Sequence, residues 1–231
     1  MEQIRKIDTA LILSLLKPSA EDEKKVKEYY ATVEKQERLD AQNRKQSRLE
    51  KSGVARRYWH ESFETYTPRN KSEAENLAIV RKFSELKEND KVLLMLGEKG
   101  LGKTHLGAAI IRECGGKFIS IEELIFKYEV SANFNAKVNR EDLMHMYSSC
   151  KMLVIDEIGR SMQQEKENAL LNCILRKRYE NMLPTVLISN LSKHDLLHKV
   201  GEAVVDRLRE TAVSVIFEGD SYRQSKRDVN L

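Results

Sequence analysis

Short apolar runs alternate along most of the chain with longer segments in which apolar residues recur every three or four positions. The apolar runs are typical of buried strands and lie at 92–96, 117–121, 152–155, 185–189 and 213–217. The segments with helical spacing lie at 72–86, 105–112, 122–130, 141–149, 163–179 and 193–209, the last with a break expected at Gly201. This alternation predicts an α/β fold, a doubly wound parallel sheet flanked by helices.

The N-terminal part of the chain has a different pattern. Residues 21–50 are rich in Lys, Glu, Gln and Arg, and they predict a long polar helix. Its apolar stripe is thin and consists of Val26, Tyr29, Tyr30, Val33 and Leu39. Such a helix either pairs with a partner or stays solvated, and an apolar patch at 4–16 suits docking in a groove of another protein. The break at Ser52-Gly53 divides the chain into an N-terminal helical arm at 1–52 and a second domain at 53–231.

Composition narrows the class of protein only moderately. The chain has 231 residues, of which 33% are charged, and a formal net charge of +4. These values fit one α/β domain with an appendage, and they do not by themselves indicate nucleic-acid binding. No apolar run approaches about 18 residues and no signal peptide is evident, so we expect a cytoplasmic protein without membrane spans. The widely spaced Cys114, Cys150 and Cys173 predict reduced, buried thiols and disfavour a zinc site.

The most specific motif follows the first predicted strand. It matches G-x-x-x-x-G-K-[ST] and consists of Gly97, Glu98, Lys99, Gly100, Leu101, Gly102, Lys103 and Thr104. Glycines let backbone N–H groups turn inward around a phosphate, and the N-terminus of the next helix adds positive potential. Lys103 would reach the β- and γ-phosphates of ATP, and the Thr104 hydroxyl would hold Mg²⁺. The strand before the motif and the helix after it disfavour a chance glycine turn.

Two further strands end in polar residues. The run 152–155 leads directly into Asp156 and Glu157, and 185–189 leads into Asn190. At the carboxyl edge of a parallel sheet, Asp156 would hold Mg²⁺ and Glu157 would orient or deprotonate the attacking water. Asn190 would hold that water or the γ-phosphate by a hydrogen bond. An acidic loop and a turn asparagine, without catalytic roles, are the alternatives.

Together these motifs resemble those of AAA+ ATPases, and other segments narrow the likeness to the DnaC/DnaI/IstB-like group, which includes the bacterial helicase loaders. The likeness covers about residues 50–225 and is weak before them. The segments that carry it are KSGV at 51–54, SFETY at 62–66, LVIDEIG at 153–159, GEAVVDRLR at 201–209, VIF at 215–217 and DSYR at 220–223.

The resemblance implies an AAA+ core without a full lid domain and roles for three arginines. Arg207 would be the arginine finger that reaches the ATP site of a neighbouring subunit, with Arg209 as the alternative. Arg223 would be the sensor-2 arginine on the γ-phosphate. From spacing alone, these arginines could equally form surface ion pairs of little energetic weight.

The resemblance also places a DNA-contacting helical insertion at 121–150. Aromatic residues interleaved with Lys and Arg suit base stacking and phosphate contact, and Tyr128 and Phe134 are the candidates. The alternative interpretation makes Phe126 and Tyr147 helix core. His194 and His198 have i, i+4 spacing, but without an evident third ligand they indicate a solvated helix face.

The resemblance implies an ATPase that loads a replicative hexameric, DnaB-type helicase onto single-stranded DNA. The arm would bind the helicase, and the ATPase domains would self-assemble. An IstB-like transposition helper acting on duplex DNA and a transposase is the alternative. A nucleotide-gated adaptor that barely hydrolyses ATP is a third possibility, and Glu157 argues against it.

Overall fold

The computed structural model describes residues 20–86, 90–133 and 136–222. The helices are α1 (Ala20–Ser52), α2 (Lys71–Glu85), α3 (Lys103–Cys114), α4 (Ile121–Val130), α5 (Arg140–Ser149), α6 (Gln164–Glu180), α7 (Lys193–Lys199) and α8 (Glu202–Thr211). The strands are β1 (Val92–Gly97), β2 (Lys117–Ser120), β3 (Leu153–Asp156), β4 (Thr185–Ile188) and β5 (Ala212–Phe217). These elements confirm the predicted alternation, including the helix break at Gly201.

The strands form a parallel sheet in the order β2-β3-β4-β1-β5. Successive side chains of a strand point to opposite faces, so Leu94 and Leu96 join one hydrophobic cluster and Leu93 and Met95 join the other. The first cluster includes residues of α4 to α8, and the second includes residues of α2 and α3. Both faces of the sheet are therefore covered, as the continuous apolar runs predicted.

The strand order decides where the polar strand ends meet. Because β4 lies between β1 and β3, the carboxyl ends of these three strands are neighbours. The glycine loop follows β1, Asp156 ends β3, and Asn190 comes two residues after β4. The fold thus brings the three sequence motifs to one edge of the sheet.

The described chain divides into two units, with Arg44 the last residue of the first and Lys45 the first residue of the second. In the first unit the apolar stripe of α1 is largely exposed, with Tyr29 67% and Leu39 48% accessible. In the second unit the end of α1 packs into the core through the fully buried Leu49. The apolar patch at 4–16 lies outside the described residues.

Apolar spacing predicts an inner face of α2 made of Ala74, Leu77, Ala78, Val80 and Phe83, and the structure confirms this face only in part. Ala74 and Ala78, expected on the inner side, are exposed. The buried residues of the helix are Glu73, Asn76, Val80 and Phe83. Glu73 is bound by Arg69 and Tyr222, and Asn76 donates to the Ile216 carbonyl at 2.8 Å, so hydrogen bonds compensate for the burial of polar groups.

The cysteines also differ from expectation in burial. Cys114, Cys150 and Cys173 are free thiols, but each is half-buried rather than fully buried. Burial nevertheless raises the pKa of Cys114 and of Cys150, which favours the neutral thiol.

Candidate active site

The glycine loop connects β1 to α3 at the carboxyl edge of the sheet. Gly102 precedes the first residue of α3 and has a φ of 83°, a conformation that side chains disfavour. A Cβ on Gly102 would lie 2.6 Å from the Tyr66 ring. The loop therefore needs glycine here for two reasons, its backbone conformation and its contact with Tyr66.

Lys103 places a positive charge at the centre of this loop. The residue is only 4% exposed, and its Nζ donates to the carbonyls of Gly97 and Glu98 at 2.6 Å each. The ammonium and the N-terminus of α3 both contribute positive potential to the same place. This arrangement is suited to binding a phosphate group.

Thr104 and Asp156 are joined across the sheet edge. The Thr104 Oγ1 donates to Asp156 Oδ2 at 2.8 Å, and the Glu157 N–H donates to Asp156 Oδ1 at 2.7 Å. Burial raises the pKa of Asp156, although these two hydrogen bonds oppose the shift. A hydroxyl and a carboxylate are the oxygen ligands that Mg²⁺ prefers, and a cation would offset the unfavourable burial of the charge. The donor set therefore fits a magnesium ion.

Glu157 and Asn190 border the same cavity as Lys103, Thr104 and Asp156. The cavity has a volume of about 430 Å³, which lies within the range of roughly 300–1,000 Å³ usual for small-molecule sites. The structure thus brings together the phosphate loop, both acidic residues and Asn190, as the sequence predicted. Their catalytic roles remain predictions.

Other lining residues of the cavity come from the segment before α2 and from the end of the described chain. The lining residues there include Arg57, Tyr58, Thr65, Tyr66 and Tyr222. Tyr66 is 5% exposed, and its ring makes an edge contact with His105. Burial is the main reason that the pKa of Tyr66 is raised, so the phenol stays neutral.

Tyr222 connects the end of the described chain to the glycine loop. Its N–H donates to the Gly100 carbonyl at 2.9 Å, and its hydroxyl donates to Glu73 Oε2 at 2.7 Å. Arg69 stacks 3.7 Å from the centre of the Tyr222 ring and also binds the Glu73 carboxylate at 2.7 Å. Burial raises the pKa of Glu73, but the hydrogen bonds from Arg69 and Tyr222 outweigh it, and the net shift is downward.

His105 fixes the segment before α2 to the start of α3. Its Nδ1 lies 2.8 Å from Glu61 Oε2, and its Nε2 lies 2.8 Å from the Ser62 carbonyl oxygen. Sequence reasoning missed His105, Tyr222 and Glu73 as contributors to the site. A histidine directly after the motif Gly-Lys-Thr was the available signal for the first. Tyr222 lies in the segment DSYR that carries the family resemblance, but no local pattern gives it a role at the site, and none indicates Glu73.

Two of the arginines assigned by resemblance, Arg207 and Arg209, do not line this cavity. Arg207 lies on α8, where its Nη1 donates to Asn172 Oδ1 and to the Ala203 carbonyl at 2.7 Å each. Arg209 is exposed on the same helix. Arg223 lies outside the described residues.

The candidate DNA contacts fall on α4 and on the segment after it. Tyr128 is half-buried, and the Arg140 guanidinium stacks 4.6 Å from the centre of its ring. Phe134 lies outside the described residues. Tyr147 is 4% exposed, which confirms the alternative interpretation of this residue as helix core. Phe126 is 63% exposed, so the interpretation of Phe126 as core is wrong.

No metal-binding group of three or more His, Cys, Asp or Glu residues occurs in the described parts of the chain. The Nε2 atoms of His194 and His198 lie 3.1 Å apart on an exposed helix face, as predicted from their spacing. None of the candidate site residues that the structure describes lines a larger cavity of about 1230 Å³. It includes Met152 and Pro184, which precede β3 and β4, so it lies by the opposite edge of the sheet.

Residues 8–229 match the sequence model of the family of IstB-like ATP binding proteins. The chain belongs to this family. It is 30% identical over 186 residues to the replicative helicase loader DnaC of Buchnera aphidicola subsp. Schizaphis graminum, covering 78% of this chain and 76% of that protein. It is also 30% identical over 195 residues to the replicative helicase loader DnaC of Escherichia coli K12, covering 80% and 79%. The predicted resemblance to the DnaC and IstB-like group is thereby confirmed.

The fold of this chain is also similar to that in a crystal structure of the DnaC helicase loader. The TM-score is 0.64 at 26% identity, over 71% of this chain and 100% of that one. The parallel sheet with its phosphate loop is therefore an AAA+ core, and the protein is a P-loop ATPase. In the described parts of the chain, no helix has the length and apolar character needed to cross a membrane.

Proposed function

We propose that this protein is an ATP-dependent loader of a replicative hexameric helicase, which it places on single-stranded DNA. The observation that carries the proposal is the 30% identity, over about four fifths of the chain, to proteins named as replicative helicase loaders. The cavity with its phosphate loop supports the dependence on ATP.

The proposed nucleotide chemistry assigns the binding residues first. Lys103 and the N-terminal end of α3 hold the β- and γ-phosphates of ATP. Thr104 and Asp156, already hydrogen-bonded to each other, hold Mg²⁺. The bound ion supplies charge neutralisation for the phosphates.

The hydrolytic step is assigned to the remaining residues at the sheet edge. Glu157 accepts a proton from the water that attacks the γ-phosphorus, while the bond from that phosphorus to the bridging oxygen breaks. The Asn190 side chain orients this water, since it borders the same cavity. ADP and inorganic phosphate are the products.

Two arginines are proposed to complete the site, one of them supplied by a neighbouring copy of the chain. Arg207 lies on α8 and does not line the nucleotide cavity of its own chain, which is consistent with a contact to the ATP bound by a neighbouring subunit. Arg209 is the alternative finger, and Arg223 is proposed to contact the γ-phosphate in its own subunit. Each would offset negative charge that develops during hydrolysis.

The macromolecular contacts are assigned to separate regions. The arm at 1–52 binds the helicase, and the exposed apolar stripe of α1 supports this role. Tyr128 and Phe134 are the proposed contacts to single-stranded DNA, with Arg140 next to Tyr128 available for a phosphate.

Capture of a DnaB-type helicase by the immobilised full chain tests this function. We expect the wild-type chain to retain the hexamer and, with ATP, to deposit it on a single-stranded DNA circle. Tyr29→Ala on α1 should lower capture at least fivefold, since an exposed aromatic anchor is removed. Phe126→Ala is the matched control, because Phe126 is 63% exposed and Tyr29 is 67% exposed.

Absence of helicase capture by the wild-type chain would contradict the loader function. The family description as IstB-like favours one other candidate, an ATP-binding transposition helper. Retention of a transposase and of duplex DNA in the same assay, without retention of helicase, would establish that candidate instead.

A further inference from the structure

The loop after β3 contains an ion pair that the proposed hydrolysis does not use. Glu157 Oε1 lies 2.8 Å from Arg160 Nη1, and both residues border the nucleotide cavity. Arg160 belongs neither to the glycine loop nor to the arginines assigned by resemblance. Its position places a guanidinium on the carboxylate that is assigned to the attacking water.

The backbone of Glu157 has an unusual conformation. Its φ is 63°, a left-handed value that a side chain disfavours, and Met182 is the other non-glycine case in the described ranges. Two hydrogen bonds hold this conformation: the Glu157 N–H donates to Asp156 Oδ1 at 2.7 Å, and the Ile158 N–H donates to the Ile188 carbonyl at 3.0 Å. Strained conformations of this kind persist where neighbouring contacts fix them.

The backbone next to Arg160 is also fixed, by hydrogen bonds to side chains of α6 and α7. Glu167 is fully buried at the start of α6, and its Oε1 accepts the Gly159 N–H at 2.6 Å. Lys199 Nζ donates to the Gly159 carbonyl at 3.0 Å. Arg160 therefore extends from a well-anchored position, and its reach to Glu157 is a consequence of the loop structure.

We propose that Arg160 is a positioning residue that restrains the Glu157 carboxylate, and that the carboxylate leaves this pair before it accepts a proton from water. The inference rests on the proposed role of Glu157. The two side chains are 39% and 40% exposed, so water and salt weaken the pair. A weak restraint of this kind lowers the fraction of molecules with a released carboxylate without preventing release.

The steady-state ATPase of the full chain, without helicase or DNA, tests the restraint. Arg160→Gln should raise kcat about two- to fivefold, because an exposed ion pair is weak and changes the fraction of released Glu157 carboxylate by only about that factor. KM for ATP should change less than twofold, because the restraint acts on the water-activating group. Arg160→Lys, which keeps the charge, should give an intermediate kcat.

Salt provides an independent readout that a purely structural role would not change. At saturating ATP, added NaCl should raise kcat of the wild-type chain toward that of Arg160→Gln, and it should leave the variant nearly unchanged. Arg176→Gln is the matched control, since Arg176 forms an exposed pair with Glu180 on α6 at 3.9 Å. This control should behave as wild type.

A kcat of folded Arg160→Gln equal to or below that of wild type would overturn the inference. Thermal unfolding and ATP binding of the variant establish that it is folded. The helicase loader function is tested separately by helicase capture, so a failure there leaves the ATPase comparison intact. Conversely, an unchanged kcat in Arg160→Gln would not affect helicase capture by the wild-type chain.

Discussion

At the scale of single residues, several polar groups in and next to the nucleotide cavity are buried and hydrogen-bonded. Asp156 keeps two donors although burial raises its pKa, and Lys103 is bound by two carbonyls. Glu73 keeps its charge because Arg69 and Tyr222 bind it. Burial of such a group without hydrogen-bond partners costs free energy, so the partners that surround each group are needed to keep it buried.

The hydrogen bonds that Glu73 accepts from Arg69 and Tyr222 lead to a prediction about stability and pH. Glu73→Gln should lower the free energy of unfolding at neutral pH by about 1.5–3 kcal/mol, since charge-assisted hydrogen bonds are lost. The folded-state pKa of Glu73 is lowered from its ordinary 4.5, so its stabilisation is present above that value and is lost as the pH falls through the lower folded pKa. Denaturant unfolding between pH 7 and pH 3 measures the difference.

The two stability curves should therefore converge below pH 4.5. Glu75→Gln is the matched control, since Glu75 lies on the same helix in an exposed pair with Lys71 at 3.8 Å. This control should change the free energy of unfolding by less than about 0.5 kcal/mol. A difference between wild type and Glu73→Gln that stays constant down to pH 3 would contradict the assignment.

The residues that sequence reasoning found are those with a local signature. Lys103 and Thr104 belong to a spaced motif, and Asp156 and Glu157 end an apolar run. Tyr222 and Glu73 are 149 positions apart, and their hydrogen bond depends on how the sheet places α2 beside the end of β5. No single segment contains that information.

At the scale of elements, the turn from β1 into α3 is the most constrained part of the site. Gly97, Gly100 and Gly102 all have positive φ values. The strand before the turn is buried on both faces, so its end is fixed, and the helix after it begins within the phosphate loop. The position of the phosphate site therefore follows from the elements on each side.

Gly102→Ala should lower the affinity for ATP at least tenfold and destabilise the fold by about 2 kcal/mol or more. The new Cβ would lie 2.6 Å from the Tyr66 ring in addition to the disfavoured φ of 83°. Nucleotide titration and thermal unfolding measure both effects. Gly219→Ala separates them, because Gly219 also has a positive φ of 120° but has nothing within 4 Å of the added carbon.

The control variant should lose some stability and keep its ATP affinity. Equal ATP affinities of Gly102→Ala and Gly219→Ala would contradict the claim that close packing of Tyr66 on the loop shapes the phosphate site.

The sequence predicted the elements well because their apolar periods are strong. The apolar strands and the helix break at Gly201 are local properties, and the structure confirms them. The inner face of α2 was predicted only in part: Val80 and Phe83 are buried as expected, but the alanine positions are exposed and two polar residues are buried instead. Phe126 was considered as core for the same reason, since apolar character alone does not show which helix face a neighbour covers.

At the scale of the whole molecule, the question is how the cavity acts in an assembly. The cavity of one chain contains Lys103, Thr104, Asp156, Glu157 and Asn190. Arg207 lies on α8 and takes part in contacts with α6 of its own chain. A complete hydrolytic site is therefore proposed to need a second copy.

Arg207→Ala should leave ATP binding within twofold of wild type and lower kcat at least tenfold, with loss of cooperativity. The reason is that an arginine finger acts on charge that develops in the transition state. Mixing Arg207→Ala with Lys103→Ala chains should restore part of the activity, since each supplies what the other lacks. ATPase rates at several protein concentrations provide the measurement.

Asn172→Ala is the matched control for the contacts within its own chain that Arg207→Ala removes. It removes the hydrogen bond that Arg207 makes to Asn172 Oδ1 and keeps the guanidinium. We expect this variant to retain most of its turnover. Unchanged turnover in Arg207→Ala, with reduced turnover in Arg209→Ala, would move the finger to Arg209.

The central claim is that the cavity at the carboxyl edge of the sheet binds ATP with Mg²⁺, and that this nucleotide powers the proposed loading of the helicase. Isothermal titration calorimetry of the full chain tests it most directly. We predict binding of about one ATP per chain in the presence of Mg²⁺, no measurable binding by Lys103→Ala, and unchanged binding by the control Lys151→Ala. Lys151 is an exposed lysine before β3 that does not line the nucleotide cavity. A wild-type chain that binds neither ATP nor ADP with Mg²⁺ present, or a Lys103→Ala chain that binds as wild type does, would contradict the account.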